Sequence, residues 1–316
     1  MLHIHDLRGG LAVFKALGSE TRVAVLELLY AEGPLRMTDI SERLGLTSGA
    51  LTPHMKVLAD CGLVSVSVGT GKHGVQKICT AVEDRILIDP VQTGRDVNVY
   101  ETEIGVGQYT AHEVLPTCGL ATPEYIVGEV DDPRYFASPD RVKCGIVWLG
   151  SGFFEYMIPN FLKANQKLIE IQVSLEIGSE APGYSEDWPS DITFALGGVE
   201  VGSWTSPGDF GARRGIYTPD WWNRHWNQHG LFKLLSINEK GTFMDGMRLS
   251  DVTLADIPLQ SGMPLTLRIS APKDGPRPGG LTIYGRSFGN YNQEITVRMH
   301  YREIQQQERP SREFPV

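Results

Sequence analysis

Residues 184–229 concentrate the side chains best suited to hold a small polar molecule. They carry Tyr184, Trp188, Trp204, Tyr217, Trp221, Trp222 and Trp226, among them five of the chain's six tryptophans. Interleaved are carboxylates, amides, arginines and histidines. A pyranose offers an apolar C–H face that packs on an indole and a rim of hydroxyls that bond Asp, Asn, Arg or His. On that chemistry the expected ligand-binding residues are Tyr184, Asp187, Trp188, Asp191, Trp204, Asp209, Arg213, Arg214, Trp221, Trp222 and His225. Arg286, Asn290 and Tyr291, in a second turn-rich stretch, are expected to close one side of the pocket. The plainer alternative is that the indoles fill the interior of a domain, since Trp is largely buried on average.

The elements that would carry this pocket read as strands. Strand-like runs recur at 97–104, 145–149, 153–158, 168–177, 191–196, 232–237, 265–269, 281–284 and 294–301, separated by Gly/Pro turns. Two stretches, Trp188–Ser190 and Trp204–Gly211, read as loops. Pro116–Leu120 is distinctive in composition but assigns itself no role. Many short strands with Gly/Pro turns predict a β-sandwich, jelly-roll-like, over residues 91–316. Mixed charge and Pro90 and Gly94 mark its boundary with residues 1–90.

Residues 1–90 have a different grammar. Leu11–Leu17 predicts a short helix stopped by Gly18. Ser19 is placed to cap a second, with Val23, Leu26, Leu29 and Tyr30 at helical spacing and Gly33-Pro34 as its stop. A third helix through Ile40 and Leu44 ends at Gly45, and Thr47 is placed to cap a fourth with Leu51, Met55 and Leu58 on one face. The third and fourth, joined by a short Gly-containing turn, have the layout of a helix-turn-helix. Leu63–Val68 and Val75–Thr80 then flank a Gly-rich tip, predicting a β-hairpin wing. The predicted whole is α+β: a winged helix-turn-helix followed by an all-β sandwich.

The run Phe14–Arg22 resembles the opening signature of ArsR-type winged helix-turn-helix repressors. Ile40–Leu46, His54–Leu58 and Gly62–Val64 are similar to the same family's helix-turn-helix without a gap. The resemblance covers about residues 10–80 and implies a transcription regulator that reads double-stranded operator DNA, as a homodimer. It places Ser48, Gly49, Ala50, Thr52, His54 and Lys56 on the recognition helix. Lys72, His73 and Lys77 fall on the wing. Small residues permit close approach to the major groove, while hydroxyl, imidazole and ammonium groups bond phosphates or base edges. Pro53 leaves two readings open: a kinked helix, or a helix that effectively begins at Thr52. Many such scaffolds sense metals, but the third helix has no cysteine and His3 and His5 lack further partners, so no metal or other cofactor is expected. The sensor is then expected in the appended region, whose style resembles carbohydrate-binding β-sandwiches.

Whole-chain properties set bounds on these readings. The 316 residues carry 29 Lys/Arg against 38 Asp/Glu, a formal charge of -9, which argues against indiscriminate coating of nucleic acid. The first 90 residues are close to neutral, with nine basic against ten acidic side chains, so the acidity lies in the β-rich part. Cys61, Cys79, Cys118 and Cys144 are scattered with no CxxC pair, the pattern of reduced thiols in a cytoplasmic protein. Mean hydropathy is -0.17, and neither a membrane-length apolar run nor a secretory leader is present. The expected function is a non-enzymatic DNA-binding regulator whose effector is a sugar. Two alternatives stand beside it. One is a carbohydrate-active enzyme using carboxyls from Glu186, Asp187, Asp191 or Asp209. The other is a β-domain that binds a protein partner through its aromatics.

Overall fold

In the first part of the chain, apolar residues at helical spacing build a small three-dimensional core, and a computed structural model shows how. It describes residues 2–4, 7–71, 74–82, 86–88, 97–260 and 262–304. The chain divides into two compact units, Met1–Arg95 and Asp96–Val316.

The first unit runs β1 (Leu2–Ile4), α1 (Leu11–Leu17), α2 (Glu20–Glu32), β2 (Leu35–Arg36), α3 (Met37–Arg43), α4 (Ser48–Asp60), β3 (Val64–Gly71), β4 (Gly74–Ala81) and β5 (Ile86–Ile88). Val25, Leu26, Leu29, Ile40, Leu51, Met55 and Leu58 pack together with Leu63, Val64 and Cys79 in one core. Arg22 reaches back from α2 to the end of α1, where its guanidinium donates to the carbonyls of Ala16 at 2.6 Å and Lys15 at 2.7 Å. Those are carbonyls that a helix end leaves without intrahelical donors, so Arg22 acts as a cap in trans. Strands β2, β4 and β3 form a three-stranded sheet, and the antiparallel β3–β4 pair is the wing.

The second unit contains β6 (Val97–Ile104), β7 (Ala111–Ala121), β8 (Ile146–Ile158), β9 (Gln166–Gly178), β10 (Ser190–Leu196), β11 (Val199–Ser206), β12 (Leu231–Asn238), β13 (Gly241–Met244), β14 (Met247–Ser250), β15 (Leu265–Ala271), β16 (Leu281–Tyr284) and β17 (Ile295–Glu303). Two 13-residue strands organise it. Along one edge β8 pairs with β7, and along the other with β15 and then β16. Likewise β9 pairs with β12 on one edge and with β17 and then β16 on the other. The short β16 thus bridges two layers, β11-β10-β15-β8-β7 and β6-β17-β9-β12-β13-β14. Phe154, Tyr156, Phe194 and Ile269 of the first share a core with Val173, Leu175, Ile237 and Val297 of the second. Strand β10 alternates buried and half-buried residues along its length, as a sandwich strand should.

Two expectations are corrected here. The runs 145–149 and 153–158 are one strand, because Gly150 and Gly152 do not break it: they sit where β7 crosses closest. A Cβ at Gly152 would lie 1.9 Å from the Glu113 carbonyl, and one at Gly150 2.5 Å from that of Pro116. Trp204, Thr205 and Ser206, read as loop, are the end of β11.

Candidate functional site

Helix α4 carries most of the residues nominated for DNA contact in the first unit. Thr47 caps it, its hydroxyl accepting from the Ala50 amide at 3.2 Å. Leu51, Met55 and Leu58 point into the core, while Ser48, Gly49, Ala50, Thr52, Pro53, Lys56 and Val57 are exposed. Spacing of three and four puts Gly49, Thr52, Pro53, Lys56 and Val57 on one outward stripe. The helix begins at Ser48, which overturns the reading that it starts at Thr52. Pro53 lies inside it and has no N–H for the Gly49 carbonyl. Thr52 turns its hydroxyl to the Ser48 carbonyl at 2.8 Å. His54 is half-buried, and its Nδ1 is buried with no partner among the described residues. Lys77 is exposed on β4; Lys72 and His73 lie outside the described residues.

The residues matched by a family model include this element. Residues 19–66 match the bacterial regulatory protein, arsR family. This segment is an ArsR-family helix-turn-helix domain. A domain of this type is the DNA-binding part of a regulator. No curated protein matches the chain. A solved structure titled "Structure of Disulfide formed AbfR" is 29% identical over 22% of this chain, with a TM-score of 0.21. The chain spans about half, 49%, of that structure's length. A CBM36-1 domain of a multidomain xylanase from the hindgut metagenome of Trinervitermes trinervoides aligns with 65% of this chain and 96% of its own, at 9% identity and a TM-score of 0.25. The Agl-KA catalytic domain aligns with 69% of this chain and 28% of its own, at 9% identity and a TM-score of 0.24. At such TM-scores the properties of these proteins stay with them.

Beyond the ArsR-type domain, the second unit holds a cleft of about 240 Å³. Trp148, Trp222, Trp226, Glu180, Asn227 and Thr117 line it, with Val130, Asp131, Pro182 and Gly183. Trp148, Trp222, Glu180 and Asn227 are buried, while Val130, Asp131, Pro182 and Gly183 are exposed, which places the mouth on the latter side. Trp222 is the hub of the aromatic cluster. It meets Trp148, Trp221, Trp226 and Phe288 at centroid distances of 5.8, 5.5, 5.1 and 5.1 Å, each pair edge to face. Its indole N–H donates to the Asn227 carbonyl at 2.8 Å, so the buried ring has its polar handle satisfied.

Glu180 is the polar centre of the cleft. One carboxyl oxygen accepts from Thr282 Oγ1 at 3.0 Å and Asn227 Nδ2 at 3.2 Å. Burial, then the nearby Asp209, holds its carboxyl well above the ordinary range. Asp209 itself is pushed up to about 8, chiefly by burial; it accepts from the Ala181 amide at 3.0 Å, and its other oxygen has no partner among the described residues. At the mouth, Asp131 adopts φ 61°, a left-handed conformation that Asp tolerates better than most residues. It is tied to Cys118 twice: its amide donates to the Cys118 carbonyl at 2.7 Å, and its carboxylate accepts from the Cys118 amide at 2.8 Å.

The segment 116–120, mute in the sequence, therefore builds one wall. Thr117 faces the cleft, Cys118 fixes Asp131, and Gly119 leaves room for Trp148, whose ring would lie 2.2 Å from a Cβ there. Of the fourteen residues nominated from the sequence, Trp222 lines the cleft, and the others are placed elsewhere or beside it. Trp204 packs on the main core beneath Lys233 Nζ, 4.4 Å from its ring. Asp191 bonds Thr205 Oγ1 at 2.6 Å and pairs with Arg277 at 3.1 Å. Arg214 is committed to the Pro219 and Thr218 carbonyls and to Asp220 at 3.2 Å. Trp221 is exposed and donates to the Pro123 carbonyl at 2.6 Å. Tyr184, which shields Gly211, and Asp187, Trp188, Arg213 and His225 are exposed on the surrounding loops.

The expected second rim is a structural clamp instead. Arg286 pairs with Glu103 at 2.5 Å, and the backbone amides of Asn290 and Tyr291 donate to the buried Glu176 carboxylate at 2.9 and 2.8 Å. That turn in turn holds the loop carrying Trp222, through Tyr217 N to Gly289 O at 2.9 Å and Gly289 N to Thr218 Oγ1 at 3.1 Å. Among the described residues no group of three His, Cys, Asp or Glu is placed to hold a metal ion. No helix among them is long and apolar enough to cross a membrane.

Proposed function

We propose that this chain is a transcriptional regulator whose affinity for operator DNA is set by a small polyhydroxylated effector, such as a sugar, bound in the Trp148–Trp222–Trp226 cleft. The observation that carries the effector half is the buried Glu180–Asn227–Thr282 network beneath three indoles: apolar surface and convergent hydrogen-bonding groups meet in one concavity. At about 240 Å³ the cleft lies below the ~300 Å³ where drug-sized pockets usually begin, which suits a monosaccharide better than a polymer. The DNA half rests on the ArsR-family domain and on the outward stripe of small and polar side chains along α4. Lys56 and Lys77 supply phosphate contacts, and Thr52 with the N-terminal turn of α4 approaches the bases. A dimer would read two half-sites about one helical turn, or a multiple of it, apart. We read the cleft as a binding site: none of Glu186, Asp187, Asp191 and Asp209, the carboxyls nominated for hydrolysis, is in its lining, where Glu180 and Asp131 stand instead.

The test is a gel shift of the full chain on the DNA upstream of its own operon, with and without candidate monosaccharides. A mobility shift that a sugar strengthens or abolishes supports the reading. Failure to bind that DNA, or hydrolysis of chromogenic glycosides lost on carboxyl-to-amide substitution, overturns it.

A further inference from the structure

We propose that the effector bound in this cleft carries a positively charged amine, an amino sugar being the class that also satisfies the polyol chemistry. This rests on the reading of the cleft as the effector site and adds the sign of the ligand's charge. Two independent features point to it.

The first is the arrangement of the rings. A pyranose stacks on an indole face to face and asks for a flat platform. Here Trp148 and Trp226 stand at 81° and 75° to Trp222, with centroids 5.8 and 5.1 Å away. Two rings set edge to face against Trp222 give the cleft no flat shelf wide enough for a stacked pyranose. Indole surface in the lining suits a compact cation, because the negative face of a ring attracts positive charge.

The second is the distribution of charge. Both ionisable side chains in the lining are carboxyls, Glu180 at the floor and Asp131 at the mouth, and Asp209 stands close behind Glu180. Among the described residues neither lining carboxyl pairs with a cation. Glu180 is bonded to Thr282 and Asn227, and Asp131 to the Cys118 amide. Nearby Arg134 is committed to Asp132 at 2.5 Å. A neutral sugar would leave these carboxyls crowded with no counter-charge. An ammonium group supplies the missing counter-charge, and its N–H groups donate to carboxyl oxygens while its remaining face lies against indole.

The experiment uses the full-length protein at fixed ionic strength. Tryptophan fluorescence and thermal shift are followed while titrating matched pairs, D-glucosamine against D-glucose and D-galactosamine against D-galactose, with tetramethylammonium as the charge without hydroxyls. We expect at least one amine to bind about tenfold or more tighter than its neutral partner. Glu180→Gln should shrink that ratio toward unity; should this variant misfold, Asp131→Asn at the exposed mouth gives the same readout. Tight binding of tetramethylammonium alone supports the charge and removes the sugar. Neutral sugars that bind as well as or better than their amine partners overturn the proposal and leave the effector reading standing. Silence of every probe in both readouts overturns the two together.

Discussion

Trp222 is only 2% exposed and yet lines a cleft, so it belongs to the core and to the cleft wall at once. Trp226, half-buried beside the same cluster, also lines the cleft. Trp222→Ala is therefore expected to cost ~3–5 kcal/mol of folding stability, the usual toll of removing a large buried ring, whereas Trp226→Ala should cost clearly less while abolishing ligand response. Urea unfolding of both variants beside fluorescence titration checks this; equal stability losses would mean that Trp226 is core. Asp209 has a different signature. Its carboxyl is pushed up from 3.8 to about 8 by burial, so between those pH values the folded chain keeps a proton that the unfolded chain has lost. Stability from this group is then fully present at the acid end of that window and declines as pH rises, by at most ~1.4 kcal/mol per pH unit, flattening above pH 8. Glu180, raised in the same direction, adds to the slope. Asp209→Asn should remove about one proton's worth of it in unfolding measured from pH 5 to 8; an unchanged slope would show that Asp209 is ionised in the fold.

Helix α4 sets a conflict between local stability and surface shape. Pro53 forgoes one intrahelical bond and presents a flat ring on the outward stripe next to Thr52 and Lys56. Restoring the N–H with Pro53→Ala should stabilise the first unit by ~1–3 kcal/mol, the interior-proline penalty less the entropy that proline removes from the unfolded chain. A lower melting temperature by circular dichroism would mean that the ring makes contacts worth more than the bond. Lys56→Ala should weaken DNA binding uniformly across sequences and reduce the slope of log K against log salt by about one. The helices were legible because each carries its own period and punctuation: Leu51, Met55 and Leu58 mark a face, and Gly18, Gly33 and Gly45 mark stops. Strands of the second unit were legible where they alternate, as in β10, and illegible where a neighbour dictates them. Pro116 and Thr117 disguise β7 with an irregularity between Leu115 and Cys118, and Gly150–Gly152 look like a turn only until β7 is laid across them. The cleft suffered most. Composition located its tryptophan-rich loop, but Trp148, Asp131, Thr117 and Glu180 come from distant segments, and only strand pairing brings them to Trp222.

At the scale of the molecule, charge is unevenly divided: residues 1–90 hold nine basic and ten acidic side chains, whereas the whole chain is at -9. A near-neutral DNA-reading part gains little from indiscriminate attraction to phosphate, so its affinity should depend on α4 and the wing and fall with salt less steeply than that of a strongly basic protein. Regulation then requires that the effector bind the DNA-competent and DNA-incompetent states with different affinities, since equal binding to both shifts nothing. Linkage makes this a quantitative demand. Whatever factor the effector imposes on operator affinity, typically 5–150-fold for such couplings, operator DNA must impose on effector affinity. Titrating tryptophan fluorescence with effector, with and without saturating operator duplex, measures one factor; gel shifts at zero and saturating effector measure the other. Agreement of the two is expected. An effector that alters the gel shift while operator leaves its own affinity untouched would place its action outside this chain's binding equilibrium, on the DNA or on assembly, and the cleft would lose its regulatory role.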